Sequence, residues 1–287
     1  MNKNVKKHLL NILCPDGIWM LSDVIRSVLR YHISRLPNRK VTEDDTRYPQ
    51  DGAGMKAFLI KFFSRHYLQS QNSLIDYITS KDFFDIINRR QIKILDIGSG
   101  PAVTSLAITN MVRFLVEYLQ LTGKWSRSIR IKFDYILNDT SSICLGTGQS
   151  MLRNYFVRRF NKALFLNNII RIHKPFPENM NQIKRLRSNS GVYDIIIFSY
   201  VLSPLMDDKN FKGLIKGFLD VESFCDNKGR ILIIQDKYQK PLIQKISRAI
   251  GISNKKEESH QYIFPQRNDN ETYNYSYYSC LYTPKIR

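Results

Sequence analysis

The stretch Ile92 to Ala102, IKILDIGSGPA, constrains this chain more than any other. A short apolar run ends in Asp96. A turn containing Gly98 and Gly100 follows, and then an apolar-periodic segment, Val103 to Leu121, that reads as a helix. Strand, glycine turn and helix together bring backbone N–H groups and the positive end of a helix against a nucleotide-like ligand. Glycine takes a positive φ without steric cost and lets the backbone pass close to a ligand. Asp96 falls at the carboxyl end of the strand, the edge at which open α/β sheets bind ligands. Two common alternatives are excluded. The dinucleotide fingerprint needs a small residue where Val103 stands, and a P-loop would end in Gly-Lys-Ser/Thr.

The remaining pattern agrees with an α/β sheet. From Gln91 onward strands alternate with helices, which predicts a mostly parallel sheet with helices on both faces. Expected strands are 92–97, 131–138, 163–172, 194–199 and 230–235; expected helices are 103–121, 142–160, 210–225 and 241–250. The tyrosine-rich run 272–282 alternates like a closing antiparallel strand, and the polar segment 253–271 reads as a loop. Residues 1–90 read as a helical extension. Leu21, Val24, Ile25, Val28, Leu29 and Ile33 form one stripe at helical spacing; Met55, Phe58, Leu59, Phe62 and Phe63 form a second, with His66 packed on it. The polar segment between them, 37–54, reads as a loop carrying Tyr48.

The acid two residues before the first glycine, with Gly100-Pro101-Ala102 closing the turn, makes DIGSGPA resemble motif I of the class I S-adenosylmethionine (SAM)-dependent methyltransferases. The resemblance implies a Rossmann-like sheet over 91–287, with 1–90 as a cap on the substrate side. It implies SAM as cofactor, Asp96 near the methionine amine, and Gly98, Ser99 and Gly100 making room for methionine and ribose. Ala102 stands where the family usually has a third glycine. Asp139, ending the second strand, matches the family's ribose acid, and a carboxylate can accept from both ribose hydroxyls. YDIIIFSYVLS, 193–203, looks like motif IV, which puts Phe198 and Ser199 against the cofactor. Substrate-side candidates are Tyr48, Tyr200, Lys237 and Tyr238. The S-Y-V-L-S-P-L string and the helical extension are also similar to the ribosomal small-subunit Rsm22-type methyltransferases, although this chain lacks the cysteine cluster common in that group.

Charge bears on the partner. The 287 residues carry 44 Lys and Arg against 25 Asp and Glu, a net charge of +19, which favours an anionic partner such as RNA, the ribosome or an acidic membrane, with RNA or the ribosome expected first. Arg26, Arg30, Arg35, Arg39 and Lys40 form a candidate backbone-tracking face. Cys14, Cys144, Cys225 and Cys280 are scattered, which points to a reducing, cytoplasmic setting and to no zinc or redox motif; the histidines show no metal-ligand spacing. No apolar run approaches the ~20 residues of a membrane span. The amino-terminal apolar stretch is about five residues, shorter than the ~7 of a secretory signal. No catalytic acid–base constellation stands out. Methyl transfer does not require one, because aligning nucleophile and methyl group carries most of the catalysis. Two other readings remain open at this level: a methyltransferase of a small molecule or natural product, and a non-catalytic SAM-binding factor of RNA or ribosome assembly.

Overall fold

The computed structural model describes residues 3–158, 163–200, 211–236, 240–251, 256–263 and 272–284. The extension contributes helices α1 (Lys3–Leu13), α2 (Asp23–Arg35), α3 (Glu43–Arg47), α4 (Gly52–Phe58), α5 (Ser64–Ile78) and α6 (Lys81–Asn88), with a two-residue strand β1 (Ile18–Trp19) between α1 and α2. A π-helical stretch, Leu59–Phe63, joins α4 to α5 without a break. The remainder alternates: β2 (Gln91–Ile97), α7 (Val103–Leu121), β3 (Ile131–Asp139), α8 (Ser142–Val157), β4 (Leu164–His173), α9 (Met180–Ser190), β5 (Tyr193–Ser199), α10 (Phe211–Glu222), β6 (Cys225–Asp236), α11 (Lys240–Ile250), β7 (Lys256–Ile263) and β8 (Thr272–Tyr282).

The strands form one sheet in the order β1-β7-β8-β6-β5-β2-β3-β4. All pairings from β4 across to β6 are parallel, and β8 runs antiparallel to both β6 and β7. This is a Rossmann-like α/β sheet with helices on both faces. Strand order reverses where β2 lies between β3 and β5, and ligands bind in the crevice outside the carboxyl ends at such a switch point.

Each face of the sheet buries its own core. Ile92 and Ile94 of β2 pack with Leu106, Ile108 and Val112 of α7 and with Leu9, Ile25, Leu59, Phe63 and Leu68 of the extension. Leu95 packs on the other face with Ile183, Leu214, Phe218 and Ile246. This is the period of two expected of a strand covered on both sides. Each such fully buried side chain contributes roughly 1.5–3 kcal/mol.

The extension is built into this body. β1 pairs with β7 at the sheet edge. Ser70 on α5 lies 2.9 Å from the Thr104 hydroxyl on α7, Asn72 donates to the Tyr277 hydroxyl at 2.7 Å, and Tyr77 donates to the Lys228 carbonyl at 3.1 Å. Residue 90 therefore marks a change of secondary structure within a shared core. Three expectations need correction. The expected loop 37–54 contains α3 and the start of α4. Thr42 and Asp45 close a reciprocal capping box on α3, and Asp51 accepts from the Gly54 amide at 2.9 Å. The expected loop 253–271 contains β7, and α9 lies between β4 and β5 where no helix was expected. Among the described residues no helix is long and apolar enough to cross a membrane.

Candidate functional site

The turn after β2 is held open by its backbone. Gly98 and Gly100 have φ of +66° and +51°, and Ala102, just ahead of α7, has +57°. A Cβ at Gly100 would meet nothing within 4 Å, so glycine is required there for its conformation rather than for space. Gly148 on α8 is a steric requirement: a Cβ there would sit 2.9 Å from the Pro101 carbonyl carbon. The Ser99 amide donates to the Asn138 carbonyl at 2.8 Å, tying the turn to the end of β3. The same strand end supplies Asp139. One of its oxygens accepts from the Gly100 amide and the other from the Ser141 amide, each at 2.8 Å. Burial raises the Asp139 pKa, and these backbone hydrogen bonds oppose the rise.

Asp96 lies beneath this turn and is 1% exposed. One oxygen accepts from the Ser105 hydroxyl at 2.6 Å; the other is buried and has no partner among the described residues. Burial, with the nearby Asp139 charge adding to it, pushes the Asp96 pKa up to about 7.

A cavity of about 580 Å³ opens above the turn. Gly98, Ser99, Gly100, Asp139 and Ser199 line one side, and Ser199 accepts from the Thr104 hydroxyl at 3.0 Å. The extension supplies the opposite wall through Tyr48, Phe58, Phe62 and His66, and Tyr200 and Gln235 complete it. At the mouth, Arg47 and Lys61 both pair with Glu43 at 2.9 and 3.5 Å, and Arg65 pairs with Asp236 at 3.5 Å. His66 and Tyr200 stack with centroids 3.6 Å apart and planes inclined by 11°. Phe62 stacks on His66 at 5.7 Å. Burial, then the Arg65 charge, holds the His66 pKa well below its ordinary value, so the imidazole is neutral. Tyr200 has φ of +58°. Its amide donates to the Ile234 carbonyl at 2.9 Å and its hydroxyl donates to Gln69.

The structure thus brings Gly98, Ser99, Gly100, Asp139, Ser199, Tyr48 and Tyr200 to one cavity. It does not bring Phe198 there. That ring is fully buried on the opposite face, 4.2 Å from Phe218 and 5.3 Å from Phe176. Asp96 lies behind the cavity wall rather than in it. Lys237 and Tyr238 lie outside the described residues. Sequence reasoning missed the contribution of Glu43 and Arg47, hidden inside the expected loop. It also read His66 as packing alone; the one available signal was its i+4 and i+8 spacing from Phe62 and Phe58. Of the candidate basic face, Arg26 pairs with Asp23 at 2.8 Å, Arg39 pairs with Asp51, and Arg35 lies over the Tyr31 ring at 4.2 Å. Arg30 and Lys40 are exposed. Among the described residues no group of three potential ligands could hold a metal ion. Burial pushes the Cys144 thiol at the cavity edge up to about 12, which leaves no thiolate there.

No family model and no curated protein matches the chain. Solved structures similar to it include a precorrin-6y C5,15-methyltransferase from Geobacter metallireducens, at 11% identity and a TM-score of 0.40, covering 72% of this chain and 91% of that one. An rRNA methylase from Streptococcus thermophilus is similar at 15% identity and a TM-score of 0.39, covering 77% and 98%. A precorrin 8w decarboxylase from Methanobacterium thermoautotrophicum is similar at 14% identity and a TM-score of 0.36, covering 71% and 90%. At these values none of the likenesses bears on what this chain acts on.

Proposed function

We propose that this chain is a SAM-dependent methyltransferase acting on RNA or a ribosome-associated substrate. The observation that carries the reading is the Asp139 carboxylate, held by the Gly100 and Ser141 amides at the cavity edge beside a positive-φ glycine turn. The cradle suits the cofactor on three counts. Two amides fix Asp139 while leaving its oxygens further capacity to accept, as a ribose diol requires. Asp96, buried behind the cavity wall, would favour a cationic ligand through space rather than by contact. The open space at Gly100 gives a ligand direct access to the backbone.

When bound, SAM would supply an electrophilic methyl group on sulfonium sulfur for displacement by an acceptor's lone pair. The chain's own residues orient and enclose. Ser199, Tyr200 and Gln235 border the space in which an acceptor would sit, and the residues from the extension face it. The net charge of +19 supports an anionic macromolecular substrate. The similarity to small-subunit ribosomal methyltransferases makes ribosomal RNA the first RNA to test.

The test is transfer of labelled methyl groups from SAM to fractionated cell extract. Label in RNA is the expected outcome. Label confined to small molecules would favour the natural-product reading, and SAM binding without transfer to any fraction would favour the assembly-factor reading.

A further inference from the structure

The wall facing the glycine turn has properties that holding SAM does not require. Phe58, Phe62 and His66 recur every four residues along the continuous helix from α4 through the π-helical stretch into α5. π-Helical turns are rare and concentrate at functional sites. Phe62, His66 and Tyr200 stack in sequence, at 5.7 Å and 3.6 Å, into one aromatic column. Its two end residues, Phe62 and Tyr200, are partly exposed and line the cavity. Lys61 and Arg65 place their cations 5.4 and 5.3 Å from the Phe62 ring centre, so charge and aromatic surface are interleaved. Tyr200 holds a left-handed backbone conformation that a bulky residue rarely adopts, and such strain clusters at ligand sites. Gln235 also lines the cavity. It is 1% exposed, and its amide nitrogen is buried with no partner among the described residues. A buried amide without a partner is costly and gains from a ligand that hydrogen-bonds it.

We propose that this wall binds one unpaired nucleobase of single-stranded RNA: the Phe62–His66–Tyr200 column stacks the base, the Gln235 amide hydrogen-bonds its edge, and Lys61 and Arg65 meet the flanking phosphates. Stacking surfaces beside cations are how single strands are held without reading a groove, and a duplex cannot offer an unstacked base to such a wall. The Gln235 nitrogen is a donor, so it suits a base edge that presents an acceptor. The proposal rests on the methyltransferase reading and gives that site its substrate form.

Fluorescence anisotropy of the full chain with a labelled nine-nucleotide random-sequence RNA, in the presence of SAM, tests it. The single strand should bind at least about tenfold more tightly than the same RNA in duplex form and than free 5′-mononucleotides. Phe62→Ala and Gln235→Leu should each weaken it about tenfold, whereas His66→Phe, which keeps the stack, should change it little. Lys61 is exposed, so Lys61→Ala tests the charge without endangering the fold; it should lower the slope of log affinity against log salt by about one. Equal binding of duplex and single strand, mononucleotides that bind as tightly as the strand, or wild-type RNA affinity and salt slope in all the variants would overturn the proposal. RNA that fails to bind while SAM binds would overturn this proposal alone; failure to bind SAM would overturn the methyltransferase reading.

Discussion

The two sides of the cavity are made differently. The glycine-turn side is built mostly from backbone. Gly98, Gly100 and Ala102 take positive φ, and amides of this turn and of Ser141 hold Asp139. The facing wall is built from side chains separated along the chain: Arg47, Tyr48, Phe62, His66, Tyr200 and Gln235. The first side depends on two short sequences, 96–102 and 138–141, that the pairing of β2 with β3 brings together. The second exists only once α5 has docked on α7 and β5 lies beside β6. A side built from backbone can keep its shape while the side chains that face it change.

Gly148 offers the largest effect that could break this separation. Gly148→Val should push the Pro101–Ala102 backbone away from α8. Overpacking of this kind costs about 1–3 kcal/mol of folding stability, and displacement of the turn should weaken SAM binding about tenfold or more by calorimetry. Unchanged affinity would show that the turn's position does not matter.

Asp96 sharpens the comparison through pH. Its pKa of about 7 in the free protein should drop when a cationic ligand approaches, so binding should release a proton and tighten with rising pH. The expected gain is about sixfold between about pH 6 and 7.5, allowing for the part of its charge that a free α-amine has lost by the upper limit. Asp96→Asn should flatten this dependence. The sign for stability is opposite. A carboxyl whose folded pKa is raised favours the fold at low pH and loses that contribution as pH rises through about 7. Without ligand, Asp96→Asn should therefore be more stable than the parent at pH 8 in urea unfolding, and the difference should disappear near pH 4.

A smaller effect is expected at the exposed part of the basic face. Arg30→Glu combined with Lys40→Glu should weaken RNA binding about threefold at physiological salt and leave SAM affinity alone, because exposed charges are screened. A larger loss than Phe62→Ala causes would move the main RNA contact from the cavity to α2. The smallest effect belongs to Ala102, whose left-handed backbone is strained for alanine. Ala102→Gly should raise stability by about 0.5 kcal/mol, the relief of strain being partly offset by the greater freedom of glycine in the unfolded chain.

What the sequence made legible follows the same division. The strand–turn–helix around Gly98 and Gly100, the end of β3 at Asp139 and the closing strand β8 were all readable, because each rests on local pattern. Phe198 was assigned to the cofactor from the motif IV resemblance and its place at the strand end, and because β5 is buried on both faces, its pattern gave no sign of which face the ring takes. The short helices near residue 50 were hidden by their polarity, although Thr42 with Asp45 is a recognisable cap. β7 was hidden in a polar segment. The pairing of His66 with Tyr200 joins residues 134 positions apart, and no local pattern could have revealed it.

The most direct test of the central claim is calorimetric titration of SAM into the wild-type chain and into Asp139→Ala, with thermal melts showing that both are folded. The account predicts saturable one-to-one binding to the wild type and an affinity at least about 100-fold weaker in the variant, since a charged acceptor serving two hydroxyls is removed. A folded wild type that gives no heat with SAM, or a variant that binds it equally well, would contradict it.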